Sequence, residues 1–183
     1  LLCHITCNEI EYTIVGTNPA DYPIVPQIND YENLTLSHPL LKSMITQTVF
    51  AASSDPNKPV LNGAKFDIND GIFTVIALDG FRLAIRKEKT DAEGVYNFIV
   101  PTRTLNELAR LLCDDDEEFV SMNIGKKHIF FKVGDYTVFS RLIEGEFLDH
   151  RNSISAESTT QVKISTRGFI EALERASLLI NEN

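Results

Sequence analysis

Glu32-Asn33-Leu34-Thr35-Leu36, running into Ser37-His38-Pro39-Leu40-Leu41-Lys42-Ser43-Met44-Ile45, decides the fold, because it writes a strand and a helix with one boundary between them. The first five residues read as a short strand. Ser37 offers an N-cap, and Pro39 sits in the first turn, where its missing N–H costs nothing. Leu40, Leu41, Met44, Ile45, Thr48 and Val49 then share one face, which predicts an amphipathic helix to about Ala52. Three strands are expected next, over 64–69, 72–78 and 82–87, with turns at Asn69-Asp70-Gly71 and Asp79-Gly80.

The same grammar restarts downstream. A strand over 95–100 leads to Pro101-Thr102 and a helix through Leu112, whose inner face carries Leu105, Leu108, Ala109 and Leu112. Strands follow over 119–124, 127–133 and 136–142, turning at Gly125-Lys126 and Gly134-Asp135. A third copy opens with a strand at Gln161-Val162-Lys163-Ile164, caps at Ser165 and enters a helix bearing Phe169, Ile170, Leu173 and Ala176. The pattern predicts an α+β fold: antiparallel sheets with two helices on one face, built from duplicated βαβββ units. Residues 1–30 are expected to end a first domain, 31–154 to form a complete one, and 155–183 to begin a third. The opening Leu1-Leu2-Cys3-His4-Ile5-Thr6 reads as the middle of a strand, so the chain is expected to be a piece of a longer protein.

Composition narrows the class. Hydrophobic residues at 43% and charged residues at 23% are ordinary for a globular protein. No stretch approaches the ~18 apolar residues of a membrane span. Three widely spaced cysteines argue against a disulfide framework and fit a reducing cytoplasm. Cys3, His4 and Cys7 lack a second ligand pair at a zinc-like spacing, so strand alternation explains them better than a metal. The net charge of −9 has the wrong sign for a conventional DNA-binding domain. It leaves a local contact open, and a protein that moves along DNA gains nothing from a tight phosphate grip.

Four stretches carry a family resemblance. They are Pro59-Val60-Leu61-Asn62-Gly63, Ala77-Leu78-Asp79-Gly80-Phe81-Arg82-Leu83-Ala84, Val100-Pro101-Thr102-Arg103-Thr104-Leu105-Asn106-Glu107-Leu108 and Glu144-Gly145-Glu146-Phe147-Leu148-Asp149-His150-Arg151. In order and spacing the chain resembles the middle domain of bacterial DNA sliding clamps, the beta subunit of DNA polymerase III. That resemblance implies a homodimeric ring of three-domain subunits around double-stranded DNA, bound without regard to sequence. It also implies a non-catalytic, cytoplasmic processivity factor with no cofactor and no metal. Its partners would be polymerase and clamp-loader subunits, docking short peptide motifs between the second and third domains.

By position, the resemblance assigns Leu61, Leu78, Gly80, Phe81, Arg82 and Leu83 to that groove, with Leu148, Asn152 and Ser153 on the connector. Aliphatic and aromatic walls suit apolar peptide side chains, Gly80 admits close backbone approach, and Arg82 offers a planar donor fork. Lys42, Arg103 and Arg110, on helix faces otherwise polar enough for weak phosphate contact, and Lys58, in the loop after the first helix, are the expected DNA-facing residues. The acidic run Asp114-Asp115-Asp116-Glu117-Glu118 would repel DNA and is expected on the outer rim.

Two other classes compete. Asp67, Asp70 and Asp79 lie near hairpin turns, where carboxylates could bind a metal for phosphoryl chemistry. Yet Asn-Asp-Gly and Leu-Asp-Gly are turn sequences in their own right, and no phosphate loop or nucleophile–base pair appears at a recognisable spacing. The alternative without an enzyme or a ring is a stand-alone peptide-binding module.

Overall fold

Alternating apolar residues build the strands, and an exchange of strands between the two copies builds the sheets. The computed structural model describes residues 1–22, 31–91, 94–149, 154 and 159–180. An N-terminal hairpin pairs β1 (Leu2–Cys7) with β2 (Ile10–Val15). The first copy then supplies β3 (Glu32–Ser37), α1 (His38–Thr46), β4 (Gly63–Asn69), β5 (Ile72–Leu78) and β6 (Leu83–Lys89). The second supplies β7 (Tyr96–Pro101), α2 (Thr102–Leu111), β8 (Phe119–Ile124), β9 (His128–Val133) and β10 (Tyr136–Arg141). These elements fall in one compact unit, Leu1–Phe147, and α3 (Thr166–Ser177) in another, Leu148–Asn183.

Two four-stranded antiparallel sheets result, ordered β6-β5-β4-β7 and β10-β9-β8-β3. The opening strand of each copy leaves its own meander and joins the other's, β3 beside β8 and β7 beside β4. Registers match between the copies. Ser37 faces Phe119 as Pro101 faces Gly63, and Leu34 faces Met122 as Phe98 faces Phe66. Where the copies meet, Glu32 and Tyr96 occupy equivalent positions. Burial first, and then the Glu32 carboxylate, push the Tyr96 hydroxyl above its ordinary pKa.

Side-chain alternation sends one face of every strand into a shared core. Phe66 and Ile68 of β4, Phe73 and Val75 of β5, and Met122 and Phe131 of the second copy join Leu41 and Ile45 of α1 and Leu105 and Leu108 of α2 in that core. Phe66 stands at its centre, its ring 5.3 Å from Phe73 and 5.4 Å from Phe98. Each such side chain contributes about 1.5–3 kcal/mol by leaving water.

The first helix is shorter than its apolar stripe predicts. It stops at Thr46 rather than near Ala52, and a 3-10 turn follows over Val49–Ala51. The Thr46 hydroxyl donates to the Lys42 carbonyl (2.9 Å) and the Thr48 hydroxyl to that of Met44 (2.7 Å). Those back-bonds compete for the helix's own acceptors. Ser37 occupies the N-cap without a side-chain bond; the His38 N–H instead donates to the Glu118 carbonyl at 2.9 Å. In the second unit, Ser165 does cap α3, accepting from the Gly168 N–H. The strand expected over 161–164 pairs with none of the described residues. Among the described residues, no helix is long and apolar enough to cross a membrane.

Candidate functional site

The sheet β6-β5-β4-β7 carries apolar residues on both faces. Its inner face feeds the core, but Ile76, Leu78 and Ile99 are also buried and point the other way by strand parity. Ile76 faces Ile85, and Leu78 faces Leu83, across the β5–β6 pair. Leu61 is buried too, in the 3-10 turn Pro59–Asn62 that feeds β4, and it stands outside the main core. Leu61, Leu78 and Leu83 are therefore not part of the central core. Leu78 and Leu83 belong to a second apolar layer on the outer face of the sheet.

A four-residue loop closes β5 onto β6. The Asp79 carboxylate organises it: Oδ1 accepts the N–H groups of Phe81 and Arg82, both at 2.8 Å, and Oδ2 accepts Arg82 Nε–H at 2.9 Å. Chiefly through the two backbone N–H donors, and then the guanidinium, its pKa falls from 3.8 to about 2. Gly80 takes φ +100°, a conformation open to glycine and strained for other residues. With the backbone so held, Phe81 projects into solvent, 97% exposed. A loop that displays a bare phenyl ring beside the half-buried Leu83 has the character of a docking edge.

Leu148 opens the second unit and is exposed. Asn152 and Ser153 lie outside the described residues. Ile76, Ile85 and Ile99 are not among the residues expected at the groove; the near-continuous run Ile72-Phe73-Thr74-Val75-Ile76-Ala77-Leu78 is the available signal for a strand buried on both sides.

The helices α1 and α2 pack against each other. Thr46 and Gln47 of the first helix and Arg103, Asn106, Glu107 and Arg110 of the second are exposed. Arg110 pairs with Glu107 at 2.8 Å, and Lys42 with Asp114 at 2.7 Å. Lys58 and Arg103 are exposed and have no ion-pair partner among the described residues. The first member of the acidic run, Asp114, is thus bonded to a residue of α1. The chain reverses after Leu112 and brings Asp114 back to Lys42, which the linear sequence does not display. Exposed pairs of this kind contribute little to stability and exchange readily with other anions.

Asp67, raised above as a metal ligand, pairs with Lys65 at 3.3 Å, and the acceptors of Asp79 are taken by its own loop. Among the described residues, no three His, Cys, Asp or Glu side chains cluster so as to hold an ion.

The family model of the DNA polymerase III beta subunit, central domain, matches residues 35–149. The beta sliding clamp of Halalkalibacterium halodurans is 38% identical over 175 residues, covering 93% of this chain and 46% of its own. That of Bacillus subtilis is 34% identical over 180 residues, covering 97% and 47%. Among solved structures, the Bacillus subtilis sliding clamp superposes with a TM-score of 0.93 at 34% identity, over 100% of this chain and 48% of that one. A DNA polymerase III beta subunit of Eubacterium rectale, described as putative, does so with 0.92 at 31%, over 100% and 50%. The chain spans about half the length of the relatives it matches.

Proposed function

The chain belongs to the family of the DNA polymerase III beta subunit, and from that membership we propose that it serves in a sliding clamp, a homodimeric ring that encircles duplex DNA in the cytoplasm and tethers the replicative polymerase. It acts without catalysis and without a cofactor: it binds, slides and docks partners. Residues 31–154 serve as the middle clamp domain, 1–30 as the end of the preceding one and 155–183 as the start of the next. The observation that supports this most is a fold shared along the whole chain with solved clamps at 31–34% identity.

In this reading the polar faces of α1 and α2 turn toward DNA. Lys58 and Arg103 are free to meet phosphates, while Lys42 and Arg110 exchange their carboxylate partners for them. Few and weak contacts suit a ring that must slide, because each firm phosphate contact adds to the grip. Peptide motifs of polymerase and clamp-loader subunits dock along Leu61, Leu78 and Leu83, under the loop of Gly80, Phe81 and Arg82. Leu148, Asn152 and Ser153, on the connector, are assigned to peptide binding by family position alone.

Titration of a fluorescent clamp-binding peptide tests the docking edge. Leu83→Ala removes apolar contact and is expected to weaken binding by about tenfold, or ~1.4 kcal/mol. Arg82→Ala is expected to weaken it less, since its guanidinium is shared with Asp79. Unchanged affinity in both variants would place the peptide elsewhere.

A further inference from the structure

His38 opens α1 and Cys113 follows α2, 75 positions apart, yet Cys113 Sγ lies 3.1 Å from His38 Nδ1. The imidazole is 4% exposed, and its Nε2 has no hydrogen-bond partner. The backbone bond from His38 N–H to the Glu118 carbonyl anchors the residue. Among the described residues, the ring's one hydrogen-bonding contact is therefore the sulfur. Cys113 itself is exposed.

The chain contains its own controls. Cys3 and Cys7 are also free and exposed, on β1. His4, adjacent to Cys3 in sequence, has its Nδ1 engaged by the Thr13 hydroxyl at 2.9 Å. All three thiols are accessible, but among the described residues only Cys113 has an imidazole nitrogen within hydrogen-bond reach. The carboxylate that follows it, Asp114, is countered by Lys42 at 2.7 Å. The remaining acids of the run repel anionic reagents and leave neutral ones free to approach.

We propose that Cys113 and His38 form a nucleophile–base pair that makes Cys113 the chain's site of modification by small neutral disulfides. The sulfur attacks one sulfur of the reagent, forming a new S–S bond while the reagent's own S–S bond breaks. The Cys113 proton passes to His38 Nδ1 and then to the departing thiolate. The protein thiol is oxidised to a mixed disulfide, and half of the reagent is reduced to a thiol. The adduct lands beside the Lys42–Asp114 pair on α1. Any effect on DNA rests on the function proposed above; the reactivity does not.

Dipyridyl disulfide, applied to the whole chain at neutral pH with peptide mapping by mass spectrometry, tests the pair. General-base assistance is commonly worth a hundredfold, so Cys113 is expected to react at least about tenfold faster than Cys3 or Cys7. Cys113→Ser removes the fast phase. His38→Gln, if it still melts cooperatively, brings Cys113 down to the rate of the other two. Equal rates for the three thiols in the unsubstituted protein overturn the inference, whatever the variant's folding. So does a fast Cys113 in folded His38→Gln protein.

Discussion

The two copies share strand registers and differ in what they attach to them. In the first, six residues (78–83) separate the paired Ala77 and Ala84; in the second, two (134–135) separate Val133 and Tyr136. The longer hairpin contains the Leu78–Leu83 pair and the loop that exposes Phe81. A second difference lies where β4 begins its pairing with β7. Gly63 occupies the position that Phe119 holds in the other copy. A Cβ on Gly63 would sit 2.6 Å from Ile99 Cγ2, 2.7 Å from the Val100 carbonyl oxygen and 2.8 Å from Ile143 Cδ1, whereas Phe119 is 56% exposed. The Ile143 N–H donates to the Ile99 carbonyl at 2.9 Å, so the segment leaving β10 lies against the first copy's sheet. Among the described residues nothing equivalent covers Phe119. Duplication supplies a symmetric frame, and the exposed Phe81 sits where the symmetry is broken.

The shared frame is broken most severely at its centre. Phe66 and Met122 are equivalent core positions, both fully buried. Phe66→Ala is expected to cost about 3–5 kcal/mol and Met122→Ala about 2–5 kcal/mol in urea unfolding. A negligible cost at one of the two would mean that the copies do not share the core equally.

The seam offers a sharper contrast. Gly63→Ala forces a methyl against backbone as well as side chains, and is expected to cost roughly 1–3 kcal/mol. Phe119→Ala should stay within about 0.5 kcal/mol. Equal effects would show that the seam is not asymmetric.

The smallest effect is confined to the long hairpin. By carboxyl NMR, Asp79 is expected to titrate at about 2, below its ordinary 3.8. Because the folded value is the lower one, the loop's stabilisation is complete above the ordinary value and fades as pH falls through about 2. In Arg82→Ala most of the depression should persist, since the backbone N–H groups of residues 81 and 82 cause the larger part. A midpoint near 3.8 in that variant would transfer the role to the guanidinium.

Much of the frame was legible before any coordinates. The repeated strand–helix–meander order, the turns at Asp70-Gly71 and Gly134-Asp135, and the inner faces of both helices all follow from local periodicity and turn chemistry. Local rules failed where a local signal had a competitor. Apolar spacing carried the first helix past Thr46, but threonine hydroxyls took its carbonyls. The groove residues came from resemblance, and the loss of alternation over 72–78 was the local sign that their sheet buries its outward face as well.

The sequence by itself determined which residues alternate, where strands turn and which helical faces are apolar, because those properties depend on neighbours a few residues away. Only the tertiary structure decided that β3 would pair with β8 and β7 with β4, that Asp114 would return to Lys42, and that His38 would meet Cys113. A strand's pleat sets which side chains it buries but leaves its edge hydrogen bonds open to any partner of matching register. That choice falls to whichever pairing lets both sheets and both helices close over one core.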